Sequence, residues 1–72
     1  MNREMKEAIL FEITILKMAI TTYEKMINNY MVKAILPNGK RTKRIIELNK
    51  RIMDNEELIN KFRHILLLGN SK

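Results

Sequence analysis

Pro37-Asn38-Gly39-Lys40 is the one strong turn signal in this chain of 72 residues, and its place near the middle decides the fold. Proline fixes φ, and Asn-Gly accepts the positive φ that a tight turn demands. Gly69 is the only other glycine and there is no second proline. Few turns can be built, so the chain must consist of a few long elements.

Before the turn, Ile9, Ile13, Leu16, Ile20, Tyr23, Ile27, Tyr30 and Ala34 recur with gaps of 4, 3, 4, 3, 4, 3 and 4. After it, Ile45, Leu48, Ile52, Asn55, Ile59, Phe62 and Leu66 recur with gaps of 3, 4, 3, 4, 3 and 4. Each series is a heptad seam, the stripe a helix turns toward a partner helix. Asn2 is a natural N-cap, with Glu4 and Glu7 near the positive end of the helix dipole. Gly69 follows the last apolar residue, Leu68, where a helix C-cap favours it. The pattern predicts an all-α single domain, an antiparallel αα-hairpin, with a helix over about 2–35, a turn over 36–41 and a helix over about 42–68.

Two local patterns compete with this reading. Residues 30–36 are rich in β-formers and run straight into Asn-Gly, which predicts a short β-hairpin over 31–43 between two helices as the alternative. Asp54-Asn55-Glu56-Glu57 has the form of a capping box, Asp at the N-cap and Glu at N3, and a helix break there would give three helices.

Apolar surface exceeds what one hairpin can bury. Phe11, Ile15 and Met18 lie at i, i+4 and i+7 on the face of the first helix opposite its seam. Leu67 and Leu68 extend an apolar run near the end of the second helix, which an antiparallel hairpin brings beside Phe11 and Ile15. A chain this short without disulfides or metal commonly gains stability by self-association. The expectation is a homodimer, a four-helix bundle with Phe11, Ile15, Met18, Leu67 and Leu68 at its interface. Asn55, a polar residue on the seam, is of the kind that fixes register in coiled coils.

Charge is distributed unevenly. The formal net charge is +6, and residues 33–51 carry seven Lys or Arg against Glu47 alone, so the remainder of the chain is neutral. Lys43 with Lys50, and Arg44 with Arg51, are each seven apart and form two adjacent columns on one helix face. Lys40 and Arg41 extend them across the turn. Such a stripe can follow phosphates of DNA or RNA. No aromatic residue lies inside it, so base stacking is not indicated.

The catalytic menu is nearly empty. There is no Cys and a single His, His64, so thiolate nucleophiles, cysteine zinc sites and histidine metal clusters are excluded. Gly39-Lys40-Arg41-Thr42 lacks the upstream glycine and the Lys-Ser/Thr adjacency of a phosphate loop. No catalytic residue, cofactor or metal is expected, and the chain does not read as an enzyme. The apolar run from Ala8 to Ile20 is interrupted by Glu12 and Lys17 and falls short of the ~20 apolar residues of a membrane span. It also lacks a small-residue cleavage site, so no membrane association and a cytoplasmic location are expected.

Two functions fit. One is a small non-enzymatic nucleic-acid-binding or regulatory accessory protein acting through Lys40, Arg41, Lys43, Arg44, Lys50 and Arg51. The other is a protein-binding adaptor or inhibitor that uses its surplus apolar surface or docks an acidic protein surface. Abundant Ile and Asn with scarce Gly, Pro and Ala suggest an AT-rich genome, such as that of a phage or plasmid.

Overall fold

Helix α1 runs over Arg3–Lys33 and helix α2 over Asn38–Asn70. The structure, a computed structural model, describes residues 1–33 and 38–70. Ala34 of the expected seam, Leu36 and Pro37 of the expected turn, and the C-terminal Ser71 and Lys72 lie outside the described residues. The two helices pack side by side as an antiparallel hairpin measuring 54 × 14 × 12 Å. At 1.5 Å per residue, α2 alone spans about 50 Å, so the molecule is two helices wide along its whole length.

Asn2 starts α1 as expected. Its side-chain oxygen accepts a hydrogen bond from the Met5 amide at 2.8 Å, and its carbonyl accepts one from the Lys6 amide at 3.1 Å. Arg3 and Glu7 pair at 3.0 Å one turn apart on the exposed face. The hydroxyls of Thr14, Thr21 and Thr22 donate to the carbonyls of Leu10, Lys17 and Met18. These bonds satisfy the polar groups of the outer face within α1 itself.

The expected seams form the contact. Every seam residue from Ile9 to Tyr30 on α1 and from Ile45 to Leu66 on α2 is buried or half-buried. Ile13, Leu48 and Ile59 are the buried hydrophobic residues, and Leu48 has no exposed surface. Ala19 and Met26 widen the α1 stripe, as their positions beside the seam require.

Two alternatives are excluded and one boundary moves. First, no strand occurs among the described residues; Met31–Lys33 close α1, and 38–43 open α2, so the β-hairpin alternative is excluded there. Second, the turn does not extend to 41. Asn38 and Gly39 belong to the first turn of α2, and Gly39 lies outside the left-handed region. The longer helix continues the seam backward, because Arg41 sits four residues before Ile45 and is half-buried. Third, α2 passes through Asp54–Glu57 without a break. A break there would put Ile52 and Ile59 out of phase, whereas an unbroken helix keeps both on the seam. Asn55 accordingly stays on the seam, half-buried.

Gly69 does not terminate α2 either, since the helix continues to Asn70. Its role is close approach. A Cβ at Gly69 would lie 2.8 Å from Cε and 3.0 Å from Cβ of Met1. The start of the chain thus folds over the end of α2.

Candidate nucleic-acid interface

The basic residues expected to form the site all lie on the first half of α2, at the loop end of the hairpin. The helix sorts them into two groups. Lys40, Lys43 and Lys50 are exposed and take part in no ion pair among the described residues. Lys43 and Lys50 stand two turns apart, about 10.5 Å along the axis. Lys33, in the last turn of α1, adds a fourth exposed cation at the same end.

The arginines turn toward α1 instead. Arg44 donates to the Glu47 carboxylate at 3.3 Å, with only a third of its side chain exposed. Hydrogen bonding to the Tyr30 hydroxyl of α1, and then to Glu47, raises the Arg44 guanidinium above its ordinary pKa. Arg51 lies over the ring of Tyr23, its guanidinium carbon 5.9 Å from the centroid. This is a cation–π contact. Arg41 is half-buried at a seam position. The stripe therefore divides by residue type, with Lys40, Lys43 and Lys50 outward and Arg44 and Arg51 inclined toward tyrosines of α1.

The Tyr–Arg pairing was legible but unread in the sequence. Tyr23 and Tyr30 are one heptad apart on α1, and Arg44 and Arg51 are one heptad apart on α2. Antiparallel helices set such pairs opposite each other in reverse order. The arginines thus link the two helices on one flank, and the lysines remain outward.

Electrostatics concentrate positive potential at this end. α2 begins with no acidic residue in its first turn, and Lys40 and Arg41 occupy that turn. The N-terminus of a helix already carries partial positive charge, which acids stabilise and cations do not. At the opposite end the charges compensate one another, with Arg3 paired to Glu7, and Lys61 3.9 Å from Glu57.

The residues expected at an oligomer interface are also exposed. Phe11, Ile15, Met18, Leu67 and Leu68 all count among the exposed large hydrophobic side chains. Ile46 and Met53, an extra apolar ridge on α2, are exposed as well. Among the described residues, no helix is long and apolar enough to cross a membrane.

No protein-family model, curated protein or solved structure matches this chain.

Proposed function

We propose that this protein is a small non-enzymatic nucleic-acid-binding accessory protein whose hairpin tip grips phosphate backbones by charge. The observation that carries this reading is the placement of the exposed Lys40 and Lys43 in and just after the first turn of α2, a turn that holds no acidic residue. Helix stability favours the opposite sign there. A cluster of cations that opposes its own helix dipole is well suited to an external anion.

Lys33, Lys40, Lys43 and Lys50 supply about four exposed contacts per tip, enough for salt-sensitive binding to duplex or single strands. Phosphate contacts position a protein without specifying sequence. The tip binds unrelated DNA and RNA sequences alike. Self-association through the Phe11 face accompanies this activity and sets how many tips one particle carries.

A gel shift with unrelated duplexes and RNAs at ~50 mM salt tests the reading. Binding of all of them, lost as salt rises, supports it. Absence of binding at that salt, together with capture by an acidic protein surface, overturns it in favour of the adaptor reading.

A further inference from the structure

One column of α2 changes character along its length. Arg44, Arg51, Leu58 and Ile65 follow one another at heptad spacing beside the seam. The first two close onto tyrosines of α1. The last two have no such cover, and Leu58 and Ile65 are 42% and 44% exposed. On the same half of the hairpin, Phe11 and Met18 are each 66% exposed on the face of α1 opposite the seam, with Ile15 between them. Most of the exposed large apolar side chains thus lie at the end remote from the basic tip, with Met31, Val32, Ile46 and Met53 exposed on the tip half.

The area is of dimer size. The hairpin exposes 5777 Å². A folded monomer of 8.6 kDa exposes about 4,700 Å². The excess of about 1,100 Å² follows from the two-helix width of the hairpin, and it leaves room for the ~800 Å² that each partner contributes to an interface of standard size. A second copy of the chain carries the same apolar half and can return the same contacts, as a two-fold interface requires.

Charge then selects the orientation. If two copies lay parallel, two tips of +6 each would stand side by side, about 20 Å apart. If they lie antiparallel and overlap only at their remote apolar halves, the tips are separated by at least the 54 Å length of a hairpin. Against a screening length of ~8 Å at physiological salt, the parallel tips keep a reduced repulsion and the antiparallel tips essentially none, so the antiparallel arrangement is favoured. We propose that a second copy covers the Phe11–Met18 and Leu58–Ile65 surfaces in antiparallel orientation, so that the two basic tips point away from each other. Resting on the nucleic-acid reading of the tip, it follows that one dimer bridges two nucleic-acid segments rather than clamping one.

The chain has no cysteine, so a single label at Thr42→Cys, an exposed position beside the tip, reports tip-to-tip distance by pulsed electron resonance without nucleic acid. Distances beyond 54 Å in a particle of twice the chain mass are expected. A distance near 20 Å, or a helical particle of monomer mass at high micromolar concentration, overturns the proposal. Bridging is read separately, by retention of a fluorescent duplex on beads carrying a second duplex. Wild-type protein retains it. Ile15→Glu, expected as a helical monomer, still shifts a single duplex but loses at least ten-fold of the retention. Retention unchanged in a monomeric Ile15→Glu overturns bridging through this interface. Loss of single-duplex binding by the wild type, with the long distance intact, overturns the tip reading and leaves the dimer standing.

Discussion

Arg51 lies over the ring of Tyr23, its guanidinium carbon 5.9 Å from the centroid, and one heptad nearer the tip Tyr30 of α1 acts on the Arg44 guanidinium across the same flank. Seven residues back along α1 correspond to seven forward along α2, so the two pairs together define the antiparallel register. Arg44 and Arg51, two of the expected basic residues, therefore help to hold the helices together. Lys40, Lys43 and Lys50 remain free of that duty, which separates binding from folding by residue type.

The Tyr23–Arg51 contact is expected to couple by about 0.5 kcal/mol, the value for exposed cation–π pairs. A double-mutant cycle with Tyr23→Leu and Arg51→Gln in chemical denaturation measures it. A coupling of zero would mean that the ring and the guanidinium are neighbours without attraction.

Gly39→Ala is expected to stabilise the protein by about 0.5–1 kcal/mol, because a helical glycine wastes chain entropy. A Cβ there meets nothing within 4 Å. The thermal midpoint should rise. A fall would indicate that Gly39 occupies a left-handed turn, the conformation that Asn-Gly suggests in isolation.

Leu48→Ala should cost about 2–4 kcal/mol, since the side chain is wholly buried and the hairpin has little other core to compensate. Ile46→Ala, two residues away and exposed, should cost well under half as much. Circular dichroism melts of the two variants make the comparison. Equal losses would contradict the assignment of Leu48 to the seam.

Asn55→Leu is expected to raise stability by about 1 kcal/mol by placing apolar surface on a half-buried seam position. It should also broaden the distribution of oligomers if the amide fixes a single register. Analytical ultracentrifugation reads the second effect. A stability loss would show that the amide makes a contact the seam depends on.

The heptad spacing of Ile, Leu and Tyr was sufficient to place both helices and their contact faces, because burial of a continuous stripe outweighs local preference. For the same reason the capping box at Asp54 stays silent. Its few tenths to one or two kcal/mol compete with the packing of Ile52 and Ile59 on one straight seam. The start of α2 was less legible, since Pro-Asn-Gly suits both a tight turn and a helix beginning. What decides it is Arg41, which continues the seam only if the helix starts earlier. The division of the basic stripe was hidden because charge counting treats arginine and lysine alike. Arginine can lie flat on a tyrosine ring, and lysine at these positions has no ring to meet.

The central claim is that the outward lysines of the tip, and not the cations at the other end, bind phosphate backbones. The slope of log K against log salt on duplex DNA tests it most directly. About four contacts per tip predict a wild-type slope of about −3 to −4. Replacing Lys43 and Lys50 with Ala should reduce its magnitude by about 2 for every sequence, with the helical signal unchanged. Replacing Lys6 and Lys61 should leave it as it is. Equal changes in the two double variants, or a wild type that ignores DNA and RNA at ~50 mM salt, would contradict the account.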